Sequence, residues 1–191
     1  MRKLMAVLLV FVVVLASCAQ IEQAYHETFA IDVSVDVPEV VEEKIENILE
    51  DAARLEEIKA KLGDVKILNS PVYFTRDSVT LSVVDSENAD YYDTYIYYSR
   101  YGEWQKSGPF KPGIPRENRR EINLVDVDFG LAAAFYKEID NRMDAGNPYS
   151  VNIGIYFDEG NIYRAQLIGE REDFDAVMSP EGEILSFERR D

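Results

Sequence analysis

From residue 29 onward, the hydrophobic positions follow two alternating periods. Phe29, Ile31, Val33, Val35 and Val37 alternate with Ala30, Asp32, Ser34 and Asp36. A period of two places one set on one face, so 29–37 reads as a strand with one buried side. Pro38 ends it and opens a helix. Val41, Ile45, Ile48, Ala52, Leu55, Ile58 and Leu62 then recur at three- and four-residue steps, and Gly63 stands where a helix stops. Strand patterns follow at Val65–Leu68, Val72–Thr75, Ser78–Val84, Thr94–Tyr101 and a short piece near Trp104, with Asp85–Asp90 as a polar turn.

The pattern breaks at Lys106–Arg120. Gly108, Pro109, Pro112, Gly113 and Pro115 mark a loop or linker. The order then returns. Glu121–Asp126 reads as a strand, and Phe129–Met143 as a helix with Asp128 at its N-cap and Phe129, Ala132, Tyr136, Ile139 and Met143 on one face. Val151, Ile153, Ile155 and Phe157 point inward from the next strand. Asp158-Glu159-Gly160-Asn161 turns the chain into Ile162–Ile168, and Pro180-Glu181-Gly182 joins Phe174–Met178 to Ile184–Glu188. The sequence therefore predicts an α+β fold of two tandem β-α-β-meander units, each with a helix on one face of an antiparallel sheet. The units span 29–107 and 121–191, with a basic Pro/Gly-rich linker at 108–120. The final hairpin, Phe174 to Phe187, resembles the closing hairpin of the PepSY family. Those small secreted modules are thought to bind or regulate other proteins, and the likeness implies a similar role.

The first residues carry a different message. Arg2 and Lys3 precede Leu4–Leu15, a run without a polar side chain. Twelve apolar residues fit the core of a secretory signal and are too few to span a bilayer as a helix. Leu15-Ala16-Ser17-Cys18 follows and resembles the lipobox of bacterial lipoproteins. The resemblance implies cleavage before Cys18, a signal peptide at 1–17, a lipidated tether at 18–28 and a membrane contact made through the acyl chains. It places the protein in the cell envelope. With Ala19 after Cys18, that means the outer membrane in a Gram-negative cell, and the outer face of the plasma membrane otherwise.

Composition narrows the function. The 191 residues include 36 acids against 20 Lys and Arg, for a net charge of −16. Nucleic acid is an unsuitable partner, since binding it needs clustered cations. One Cys and one His cannot supply a disulfide framework or a Cys/His zinc site, and a Ser-His-Asp triad could draw only on His26, in the tether. No cofactor or metal motif is present: there is no phosphate-binding glycine loop, and Asp85–Asp90 lacks the glycine and distal Glu of a calcium loop. The one basic island is Lys106, Lys111, Arg116, Arg119 and Arg120, a linker or a docking loop for something acidic.

Half of the twelve tyrosines fall in Tyr91–Tyr101, and Trp104 follows. With Ile96 and Tyr98 facing the helix, Tyr95, Tyr97 and Tyr101 stand on the opposite face as an exposed aromatic row. The ring-plus-hydroxyl character of Tyr suits such a row to a protein segment or a sugar. The candidate binding residues are thus Tyr95, Tyr97, Tyr101 and Trp104, and no catalytic residue is assigned. The leading expectation is a non-catalytic binding or regulatory role toward a protein or glycan. The alternatives are a small secreted hydrolase using an Asp/Glu pair, since 36 acids always offer one, and an assembly component that pairs through a sheet edge.

Overall fold

The computed structural model describes residues 46–143 and 149–190. The expected signal, Cys18, the tether and the strand at 29–37 lie outside them. Within the described residues, a mixed helix–strand fold of α+β type builds one antiparallel sheet, with two helices on a single face. No described helix is long and apolar enough to cross a membrane.

Helix α1 is Ala52–Ala60; of the expected 38–63 helix, residues 38–45 lie outside the described residues and 46–51 are not α-helical. The break is local chemistry. Ile48–Glu50 forms a tight helical turn capped by Asn47, and Asp51 then adopts an extended backbone. The Asp51 carboxylate accepts from Arg54 N–H at 3.1 Å, so Asp51 restarts the helix as an N-cap instead of continuing it. The hydrophobic stripe survives the break: Ile48, Leu49, Leu55 and Ile58 are all fully buried. Gly63 closes the segment at φ +74°, the conformation that glycine tolerates without a side-chain penalty.

The strands are β1 (Lys66–Leu68), β2 (Val72–Phe74), β3 (Ser78–Val84), β4 (Tyr92–Tyr98), β5 (Glu103–Phe110), β6 (Glu121–Asn123), β7 (Tyr149–Tyr156), β8 (Ile162–Gly169), β9 (Asp173–Met178) and β10 (Ile184–Arg190). Helix α2 is Gly130–Asp140. One edge of β3 carries β4 and then β5. Its other edge carries β2 near the start (Phe74 opposite Val79) and β1 near the end (Ile67 opposite Val83). Beyond β2 come β7, β8, β9 and β10. Strand β5 extends through Pro109 into the segment read as a linker. A proline fits there because β5 is an edge strand whose outer N–H groups pair with nothing in the described sheet.

The expected units thus share a sheet. Strand β2 pairs with β7 through Val72–Ile155, Tyr73–Gly154 and Phe74–Ile153. Both helices cover the same side of it. Phe74 meets Phe129 edge-on with ring centroids 4.9 Å apart, Trp104 Nε1 donates to the Ile58 carbonyl at 2.9 Å, and the Tyr163 hydroxyl donates to the Asp128 carbonyl at 2.7 Å. The start of α2 is satisfied by two elements. Glu56 of α1 accepts from Phe129 and Gly130 N–H at 2.8 and 3.0 Å, while Asp128 accepts from Leu131 N–H at 3.0 Å, as an N-cap should.

Tyr163 gives the fold an alkaline limit. Its hydroxyl is buried, and burial, then the nearby Asp128 and Glu56 carboxylates, raise its pKa. A tyrosine in the unfolded chain releases its proton near pH 10. Above that pH the unfolded chain holds fewer protons than the folded one, so stability falls as pH rises. Tyr163 alone contributes a slope of about 1.4 kcal/mol per pH unit. Denaturant titrations of Tyr163→Phe between pH 10 and 12 should show a slope shallower by that amount; equal slopes would contradict the assignment.

Candidate functional site

Tyr95, Tyr97, Tyr101 and Trp104 do not form an exposed row. Tyr97 has no exposed surface. Its hydroxyl accepts from Arg54 Nη2 at 3.3 Å, Lys61 lies 5.5 Å above its ring, and Trp104 packs edge-on at 5.7 Å. Tyr95 is half-buried on the same side, with Lys106 over its ring. Tyr101 is past the end of β4, in a turn, 51% exposed and stacked on Arg100. The sequence reading assigned the faces of β4 the wrong way round. Val79, Leu81 and Val83 of β3 are the inward side chains, and the antiparallel register sets Tyr97 beside Val79 and Tyr95 beside Leu81. Cross-strand partners share a face, so odd-numbered residues of β4 must point to the helices. One consequence is a buried carboxylate: Asp93 follows the same parity, is 2% exposed, and pairs with Lys106 Nζ at 2.8 Å. Its charged neighbour is a lysine, an arrangement for an ion pair. That contact raises the Lys106 pKa.

The side of the sheet turned away from the helices carries a different set. One row runs across eight strands: Gln105, Ile96, Thr80, Tyr73, Gly154, Arg164, Val177 and Ser186. A parallel row holds Asn152, Gln166, Asp175 and Glu188. At the centre, Tyr73 and Tyr156 meet edge to face, centroids 6.5 Å apart, over Gly154. A Cβ at Gly154 would come within 2.8 Å of the Tyr156 ring and 3.2 Å of Tyr73, so only glycine lets both rings lie on the backbone. Arg164 reaches over the Tyr156 ring at 5.7 Å and pairs with Glu159. Burial raises the Tyr156 pKa, and the adjacent Tyr73 adds to that. Together these groups line a shallow depression of about 170 Å³ that also takes in Asn152, Gln166 and Asp175.

Such a surface offers rigid aromatic area, planar amides, a guanidinium and a carboxylate, a mixture suited to recognition. Sequence reasoning missed Tyr73, Tyr156 and Arg164. The available signal was Gly154 itself, a lone glycine inside an otherwise well-formed strand, which marks a close approach. The other expected sites read simply. Asp85 Oδ1 accepts from Glu87 and Asn88 N–H, making a polar turn, and those bonds hold its carboxyl below the usual range. Among the described residues, no group of three or more His, Cys, Asp and Glu is placed to hold a metal ion. Cys18 lies outside the described residues.

Compared with known proteins, the chain matches no family model, no curated relative and no solved structure.

Proposed function

We propose that the protein is a lipid-anchored component of the cell envelope that binds a protein partner, without catalysis, through the helix-free face of its sheet. The observation that carries this is the row through Tyr73, Gly154 and Arg164. Eight strands about 4.8 Å apart span roughly 34 Å, a row long enough for a protein surface to lie across it. A small glycan would use only the central depression. The lipobox-like segment ending at Cys18 supports the anchor. It would set the domain at a membrane surface, at the outer membrane if the cell is Gram-negative and on the outer face of the plasma membrane otherwise. The PepSY-like closing hairpin supports a regulatory role. In this reading α1 with β3–β5 and α2 with β7–β10 are the two tandem helix-and-meander units, joined edge to edge by β2 and β7.

Two variants test the proposal. Cys18→Ser should move the protein from the membrane fraction to the soluble one on cell fractionation; retention in the membrane would remove the anchor. Tyr73→Ala combined with Tyr156→Ala should eliminate a crosslinked partner from native envelopes while leaving the melting temperature within a few degrees. That partner, once purified, should bind the parent domain and not the variant. An unchanged partner list would remove this face from consideration, and glycan binding in place of protein binding would overturn the choice of partner.

A further inference from the structure

The basic island does not dangle. After β5 the chain folds back over the helix-free face, and with β1, β3, β4 and the β7–β8 turn it lines a half-open cavity of about 400 Å³. Leu68, Tyr92, Pro112 and Ile114 supply apolar wall; Arg119 and Arg120 supply positive charge. Neither arginine has a carboxylate within ion-pair distance among the described residues. Arg119 spends its terminal nitrogens on two backbone carbonyls, Ala89 at 3.5 Å and Asp90 at 3.3 Å, and both contacts are long. Its Nε is buried and has no acceptor. Across the cavity, Asn69 donates to Asp158 and leaves its own Oδ1 buried without a donor.

A buried N–H without an acceptor costs free energy, and on a guanidinium the cost is larger. On a chain of net charge −16, a half-buried arginine with an unpaired Nε beside a second, exposed arginine at one apolar-walled cavity amounts to more than a solvated linker. We infer that this cavity is a binding site for a small organic carboxylate with an apolar body. The guanidinium fork, with Nε beside a terminal nitrogen, matches the two oxygens of a carboxylate. The apolar wall matches the ligand's body, and the volume lies in the range of small-molecule pockets. Asp158 at the same cavity opposes a doubly charged group, which favours a carboxylate over a phosphate. The inference stands apart from the Tyr73–Tyr156 depression and does not depend on a partner binding there.

The test uses the full chain in detergent micelles, with phenylacetate as probe, phenylacetamide as its uncharged twin and inorganic phosphate as the competing anion. Phenylacetate should saturably shift the Arg119 Nε–H resonance in nitrogen-15 spectra, and phenylacetamide should not. Arg119→Gln should weaken binding about tenfold or more. Lys111→Gln, which removes a loop charge outside the cavity wall, should leave it unchanged. Ile114→Asp, at an exposed loop position that folding does not depend on, should abolish it even if Arg119→Gln proves unstable. Equal binding of the amide, phosphate binding as tight as phenylacetate, an equal effect of Lys111→Gln, or no saturable shift with phenylacetate would each overturn the assignment.

Discussion

Replacing Phe129 with Ala should cost about 3–5 kcal/mol of folding stability, the range for emptying a buried aromatic site. Phe129 has no exposed surface and stands at the first turn of α2, directly over the central strand. Its ring meets Phe74 at 4.9 Å, nearly perpendicular, and Lys59 sits 5.6 Å from its centroid. Truncation removes contacts to the sheet and to α1 together, so the walls of the cavity belong to elements that cannot close on it without moving apart. For a domain of this size each kcal/mol shifts the melting point by about 2–4 °C. The drop should therefore be on the order of 10 °C, measured by thermal unfolding alongside urea titration. Tyr101→Ala, which removes an exposed ring in a turn, should stay within about 0.5 kcal/mol of the parent and serves as the control.

Glu56→Ala should be the second most damaging change, at about 2 kcal/mol. One carboxylate oxygen receives the N–H groups of Phe129 and Gly130 at the start of α2, and the other pairs with Lys59 at 2.6 Å. Glu56 thus caps a helix that belongs to the other half of the chain, 73 residues away. The helix N-terminus carries partial positive charge, which adds to the attraction. Part of the side chain is solvated, which holds the effect below that of a fully buried pair. Glu56→Gln keeps one acceptor oxygen and should recover about half of the loss. Urea midpoints at constant slope would establish the order Ala below Gln below parent; a Gln variant no better than Ala would mean that charge, not acceptance, is what matters.

Local patterns carried much of the architecture. Ser78–Val84 alternates strictly and is a strand over the same residues. Val151, Ile153, Ile155 and Phe157 are all buried, as their spacing required, and Asp128 caps the second helix. Three features were not legible, each for its own reason. The hydrophobic stripe runs through Asp51 without a gap, so only the capping chemistry of Asn47 and Asp51 reveals the helix break. In β4 both parities carry aromatic residues, so its facing is decided by its neighbour: Val79 and Leu81 determine where Tyr97 and Tyr95 go. The pairing of β2 with β7 joins Tyr73 to Gly154, too far apart in sequence for any periodic signal. That last pairing also hid the candidate site, because Tyr73 and Tyr156 become neighbours only once the two strands meet.

The junction at β2 has a further consequence. Between β2 and β7 the sheet is stitched by three residue pairs, whereas β7 and β8 share eight. Tyr73 lies on this narrow seam, with Thr80 on one side of it and Gly154 on the other. A partner that grips the helix-free face across Tyr73 would clamp the two halves along this seam. Occupancy and cohesion then become thermodynamically linked: the tighter and more abundant the partner, the greater the work needed to part the halves, rising as RT ln(1 + [L]/Kd).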